Sequence, residues 1–123
     1  MTTDRDETRE ERIIMEIVVD AYDSEERAMG WYYYLDDTLR FPFSARCTDK
    51  RAISPLQESD EVDVLGLAPT SECEHEMFVM IRWDREEGLG VPLSQLIAIH
   101  AEDEQTKEAV EDWRYWVGRG YRF

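Results

Sequence analysis

The chain has 123 residues, of which 42% are hydrophobic and 35% charged, with 29 Asp and Glu against 14 Lys and Arg and a net charge of −15. This length suits one domain, and the apolar fraction is sufficient for a hydrophobic core. So large an acidic excess argues against binding to nucleic acid, which needs clustered Lys and Arg, and against an anionic membrane surface.

The cellular compartment follows from what the sequence lacks. No apolar run approaches the about 20 residues that a membrane-spanning helix needs, and the first residues do not resemble a signal peptide. We therefore expect a cytoplasmic protein in which Cys47 and Cys73 remain thiols. We expect one domain over residues 1–123, with the charged stretch 1–12 frayed.

The first periodic segment is Ile13–Val19. Its apolar residues fit a helical stripe, although alternate residues would also fit one face of a strand. The charged residues 7–12 that precede it favour a helix.

A second helix is predicted to begin after Asp23, because Glu26 follows three residues later in the pattern of a capping box. Proline disfavours helix at the residue before it, so the helix should end near Phe41-Pro42. Asp36 and Asp37 then lie near the helix C-terminus, where anions are unfavourable. The predicted buried stripe comprises Ala28, Trp31, Tyr32, Leu35 and Leu39.

The middle of the chain contains short segments rich in branched and aromatic residues, separated by Pro and Gly turns such as Glu86-Glu87-Gly88. A last helix over about Asp103–Val117, capped by Gly118 or Gly120, completes an α+β fold. We expect a small curved antiparallel sheet or a partly open SH3-like barrel, flanked by two N-terminal helices and one C-terminal helix. The predicted strands are Phe43–Thr48, Glu61–Ala68, Met77–Asp84, Leu89–Leu93 and Ile97–Ile99.

Acidic residues concentrate in two stretches. Seven lie between Glu58 and Glu76 with no Lys or Arg, and six lie between Glu102 and Asp112 with one Lys. Such excess charge repels itself and attracts cations, although a solvated surface is the simpler explanation. Calcium takes about six to eight oxygen ligands, which clustered carboxylates supply. The candidate metal ligands are Asp36, Asp37, Glu72, Glu74 and Glu76; the last three would share one face if their segment enters a strand.

Other kinds of site find little support. No segment matches the spacing of an EF-hand loop, so a calcium site must assemble from separate elements. Cys47, Cys73, His75 and His100 lack the usual spacing of zinc ligands. No phosphate-binding loop, serine-hydrolase elbow or zinc-protease motif occurs. We therefore expect a protein that is not an enzyme.

Several blocks, in order, resemble one family and cover nearly the whole chain after Arg12. They are residues 23–43 (DSEERAMGWYYYLDDTLRFPF), 50–56 (KRAISPL), 73–79 (CEHEMFV), 91–96 (VPLSQL) and 111–117 (EDWRYWV). Together they resemble the cyanobacterial calcium-binding protein family (CcbP), whose members bind Ca²⁺ without EF-hands.

This resemblance implies a small acidic cytoplasmic protein that buffers or sequesters Ca²⁺, a role linked to calcium-dependent cell differentiation. It also implies that an aspartate at the end of the aromatic helix is a calcium ligand, which corresponds to Asp36 or, preferably, Asp37. The alternative is an acidic protein-interaction module that binds a basic partner, with exposed Tyr33 or Tyr34 as the anchor.

Overall fold

The computed structural model describes residues 6–19, 21–83, 86–99 and 103–121. The fold is α+β, as expected: within these ranges, three α-helices pack with a five-stranded antiparallel sheet. None of the helices in the described ranges is long and apolar enough to cross a membrane.

Helix α1 spans Glu7–Glu16, and Asp6 caps it by accepting a hydrogen bond from the backbone N–H of Arg9. Residues 13–16 of the predicted segment are helical, but the helix ends at Glu16, before Ile17. Residues 7–12, expected to fray, also belong to the helix. A buried acidic side chain attaches this helix to the C-terminal part of the fold. The Glu10 carboxylate accepts hydrogen bonds of 2.8 Å from the hydroxyls of Tyr115 and Tyr121. The charge of this segment suggested that it is solvated. Its local sequence gives no sign of the burial of Glu10, because Tyr115 and Tyr121 lie at the other end of the chain.

Helix α2 spans Ser24–Thr38. Its predicted cap is confirmed, since Asp23 Oδ1 accepts a hydrogen bond of 2.8 Å from the backbone N–H of Glu26. The predicted stripe is also confirmed: Ala28, Trp31, Leu35 and Leu39 are buried and Tyr32 is partly buried.

The strands are β1 (Phe43–Cys47), β2 (Glu61–Leu67), β3 (Phe78–Trp83), β4 (Glu86–Pro92) and β5 (Leu96–Ile99). They form an open sheet in the order β4-β3-β2-β1-β5, with every neighbouring pair antiparallel. The chain therefore adopts the sheet and not the partly open barrel. The final strand, β5, pairs with β1, and its neighbour in sequence, β4, lies at the opposite edge.

Strand β4 begins earlier than predicted. The segment Glu86-Glu87-Gly88, expected to be a turn, is already strand. Ile81 pairs with Leu89 and Arg82 with Glu87, so Gly88 is an extra residue in the ladder, with φ of +100°. A bulge with a left-handed glycine accommodates such a residue without ending the strand. Asp84, the predicted end of the third strand, lies outside the described residues.

Alternation along the strands gives the sheet one buried and one exposed face. Cross-strand charge pairs line the exposed face: Arg46 lies 3.7 Å from Glu61, and Arg82 lies 3.6 Å from Asp63. Such pairs add modest stability to a solvated sheet face.

Helix α3 spans Glu104–Gly118 and packs against β5, α1 and α2. All four residues of its predicted face are buried: Ala109, Val110, Trp113 and Trp116. Gly120, with φ of +82°, follows the helix end, which agrees with the predicted glycine cap. Trp31 of α2 lies edge-on to Trp113, with ring centroids 5.1 Å apart, so aromatic packing fixes α2 on α3.

Candidate metal site

The two predicted aspartates lie in the last turn of α2, and both side chains are exposed. That turn carries no basic residue. Within the described part of the chain, neither Asp36 nor Asp37 forms an ion pair with Lys or Arg. Two unpaired carboxylates therefore add their charge to the negative end of the helix dipole.

Backbone carbonyls at the same turn are also open. The N–H of Arg40, which would continue the helix by bonding to the Asp36 carbonyl, donates to Thr106 Oγ1 at 3.0 Å. Pro42 has no N–H to offer the carbonyl of Thr38. No hydrogen bond from the described residues reaches the carbonyls of residues 36–38. The helix therefore ends in a group of carboxylate and carbonyl oxygens, the atoms that calcium prefers.

The acidic segment that follows β2 is not a strand. Thr70–Glu72 forms one 3₁₀ turn, and residues 73–77 continue as a loop that we call the acidic loop, residues 70–77. Glu72, Glu74 and Glu76 consequently do not share a strand face. The Ala68-Pro69 sequence starts the turn instead, because proline cannot donate to a sheet ladder. The side chains of Glu72 and Glu74 are exposed.

Glu76 already has a cationic partner. Its Oε1 accepts hydrogen bonds from the Arg51 guanidinium and from the Ser94 hydroxyl, the latter at 3.0 Å. The Glu76 side chain is only 21% exposed, so this ion pair is partly shielded from solvent. Sequence reasoning missed Arg51, because no local pattern reports a partner 25 residues away.

Tyr32 connects α2 to the start of the acidic loop. Its hydroxyl donates a hydrogen bond of 3.0 Å to the carbonyl oxygen of Ala68. Burial raises the pKa of Tyr32, and the nearby Cys73 and Asp36 raise it further. Asp36 lies one helical turn after Tyr32, so the two residues share the face of α2 that contacts the Ala68 carbonyl.

The predicted ligands do not form a closed coordination shell. Among the described residues, no three Asp, Glu, His or Cys side chains are grouped so as to hold a metal ion. The oxygens at the end of α2 nevertheless fit calcium, which accepts carboxylates, backbone carbonyls and water in flexible geometry. Asp36, Asp37, Glu72, Glu74 and Glu76 remain predicted ligands.

The thiols and histidines do not suggest a zinc site. Cys47 and Cys73 are both buried and free, and burial raises the pKa of each thiol. A protonated, buried thiol is a poor metal ligand and a poor nucleophile. His75 is exposed, and His100 lies outside the described residues.

Most of the described acids in the second acidic stretch, residues 102–112, are paired with arginines. Asp112 is fully buried, and its carboxylate accepts hydrogen bonds from Arg12 and Tyr34. Arg40 lies 3.3 Å from Asp103 and Arg12 lies 3.6 Å from Glu108. Asp112 therefore joins the helices, whereas the more exposed pairs of Asp103 and Glu108 add little stability.

A cleft of about 1130 Å³ lies next to the acidic loop. The first half of α2 forms one side, the acidic loop forms the other, and the end of α3 contributes to the floor. Glu74 and Glu76 line it, whereas Asp36 and Asp37 do not. Four of the predicted ligands thus divide between the cleft and the end of α2, and the fifth, Glu72, does not line the cleft.

Comparisons with known proteins agree with this architecture. A family model described as calcium binding, Calci_bind_CcbP, matches residues 11–117. The crystal structure of Anabaena CcbP is 49% identical, covers 100% of both chains and superposes with a TM-score of 0.84. A calcium binding protein in the calcium-binding form is also 49% identical, with a TM-score of 0.82, covering 97% of this chain and 96% of that one. No match was found among curated proteins.

Proposed function

Because the chain belongs to the CcbP family of calcium-binding proteins, we propose that it binds Ca²⁺ at the end of α2 and so buffers or sequesters the ion. Asp37 is the preferred ligand and Asp36 the second. The proposal assigns binding to these residues and no catalytic step.

The observation that carries the proposal is the concentration of carboxylate and carbonyl oxygens at this helix end. Two exposed carboxylates lie beside three open carbonyls, with no basic residue in the turn. A divalent cation would offset both the repulsion between the carboxylates and the negative end of the dipole. A Lys or Arg side chain would supply half the charge of Ca²⁺ and fewer contacts with these oxygens.

Further oxygens would come from the acidic loop, since calcium takes about six to eight. The Tyr32–Ala68 hydrogen bond holds the residues just before this loop against the face of α2 that also carries Asp36. Glu72 and Glu74 are exposed and available. Glu76 would have to release Arg51 before it could bind an ion.

The proposed cellular role is that of a cytoplasmic calcium buffer that regulates calcium-dependent cell differentiation. Two free, buried thiols are compatible with a reducing compartment. Overproduction should flatten calcium transients measured with a cytoplasmic reporter. Overproducing the Asp36→Asn/Asp37→Asn double variant should leave them unchanged.

Calorimetric titration of the purified chain with Ca²⁺ tests the site. We expect saturable binding to the native protein and a loss of about tenfold in affinity for Asp37→Asn, about 1.4 kcal/mol. Glu11→Gln, an exposed charge removal on α1, is the control and should bind as the native chain does. Absence of binding heat together with an unchanged Tm would defeat the function. Unchanged affinity in both single variants would defeat only the site.

A further inference from the structure

We propose that the cleft between α2 and the acidic loop binds a basic peptide segment that carries a hydrophobic anchor. The proposal goes beyond calcium binding: the preferred calcium ligands Asp36 and Asp37 do not line this cleft, although Glu74 and Glu76 do, and the peptide is expected to bind without Ca²⁺. It rests on the size of the cleft, its floor and the charges at its rim.

The size favours a peptide. Pockets for small molecules usually enclose about 300–1,000 Å³, and this cleft, of about 1130 Å³, is slightly larger and is lined by residues of α2 from Ser24 to Tyr32. Several neighbouring side chains could enter it together. Hydroxyls of Ser24, Thr70 and Ser71 line it and could bind peptide backbone groups.

The floor is apolar and aromatic. Met29 and Tyr32 of α2 contribute to it, together with Trp113 of α3 and Tyr121 beyond its end. Aromatic residues and methionine are the types enriched where proteins contact partners, and methionine adapts to different apolar groups. Such a floor would accept an aliphatic or aromatic side chain.

The rim is acidic on both sides. Glu25 belongs to α2 and Glu74 to the acidic loop; both are exposed, and neither forms an ion pair within the described ranges. Glu76 is already neutralised by Arg51. Two free carboxylates from different elements of the cleft complement Lys or Arg residues that flank a hydrophobic anchor. The net charge of −15 would steer such a peptide towards the protein and repel an acidic one.

The cleft does not include Tyr33 or Tyr34, the anchor residues suggested by the sequence. Tyr34 is committed to Asp112, and Tyr33, 63% exposed, does not line the cleft. Contact with a partner is therefore expected through Met29 and its neighbours, and not through Tyr33.

Fluorescence anisotropy of a labelled synthetic peptide provides the test. The probe carries a Leu-Phe pair flanked by lysines; one comparison peptide has glutamates in place of lysines, and another has serines in place of Leu-Phe. Titrations with the full chain in chelator should show saturable binding of the probe and none of the comparison peptides. Equal binding of the serine peptide would reduce the interaction to charge alone and overturn the proposal.

Two glutamates in the first turn of α2 provide matched variants. Glu25→Lys and Glu26→Lys change the net charge and the helix dipole alike, but only Glu25 lines the cleft. We expect about tenfold weaker binding for Glu25→Lys and a smaller loss for Glu26→Lys. Met29→Gln, of similar length, should weaken binding about fivefold, with circular dichroism checking that each variant is folded.

Three results would overturn the proposal. Equal losses for Glu25→Lys and Glu26→Lys would show attraction to the whole surface. Loss of binding in Tyr33→Ala with none in Met29→Gln would place the partner elsewhere. Failure to bind the probe, combined with self-association in sedimentation experiments that Met29→Gln abolishes, would assign the cleft to a second copy of the chain.

Discussion

The Tyr34 hydroxyl of α2 donates a hydrogen bond of 2.8 Å to the buried carboxylate of Asp112 on α3. Arg12 of α1 donates to the other oxygen of the same carboxylate. One fully buried acid therefore joins all three helices, although most acidic side chains of this protein face solvent.

Asp112→Ala should lower the free energy of unfolding by about 3 kcal/mol, because it leaves the Arg12 guanidinium and the Tyr34 hydroxyl without their acceptor. Glu111→Ala is the neighbouring control: its side chain is 43% exposed and lies 3.6 Å from Arg9. Surface pairs contribute little, so this change should stay within about 0.5 kcal/mol. Urea denaturation measures both, and similar losses would contradict the assigned role of Asp112.

Stability should decrease as the pH rises above 10.0, the ordinary pKa of tyrosine. Burial first, and then Asp112, raises the pKa of Tyr34, and burial is also the largest cause of the raised Tyr115 pKa. Above that pH the unfolded chain loses protons that the folded chain keeps, so unfolding is favoured by up to about 1.4 kcal/mol per pH unit for each tyrosine.

Denaturation at several pH values tests this dependence. Tyr34→Phe should show a shallower decrease than the native chain, whereas Tyr22→Phe, at a residue that is 84% exposed, should not. An unchanged slope in Tyr34→Phe would show that this hydroxyl does not contribute.

Removing the aspartates at the end of α2 should stabilise the calcium-free protein. Asp36→Asn or Asp37→Asn relieves repulsion from the helix C-terminus, worth about 0.5 kcal/mol. The same variants should gain less Tm from added Ca²⁺, because ligand binding to the folded state stabilises it. Glu25→Gln, at the favourable end of the same helix, should instead destabilise. A lower Tm in both calcium-free aspartate variants would show that these side chains already have stabilising partners.

Arg51→Met should increase calcium affinity if Glu76 is a ligand. The substitution keeps most of the apolar stem and frees the Glu76 carboxylate from its ion pair. The expected gain is about fivefold, or about 1 kcal/mol, the value of a partly exposed pair. Arg46→Met, which releases Glu61 on the exposed face of the sheet, controls for the change in net charge. Equal effects of the two substitutions on calcium affinity would remove Glu76 from the ligand set.

Features that depend on a few neighbouring residues were predictable from the sequence. The Asp23 cap, the stripe of α2 and the face of α3 follow from spacing within one or two helical turns. Branched and aromatic residues between Pro and Gly turns located the five strands to within a few positions. The start of β4 was not predicted, because Glu86-Glu87-Gly88 has the composition of a turn. The bulge at Gly88 that keeps this segment in the sheet depends on pairing with β3.

The sequence by itself thus determined the acidic character, the helices and strands, and the aspartates at the unfavourable end of α2. Only the tertiary structure decided that Glu76 pairs with Arg51, that Asp112 is buried between helices, and that β5 lies beside β1. Residues up to 100 positions apart meet around Asp112. Local propensity carries no information about such contacts, because the packing of the whole core selects which charges are paired and which remain free for a ligand.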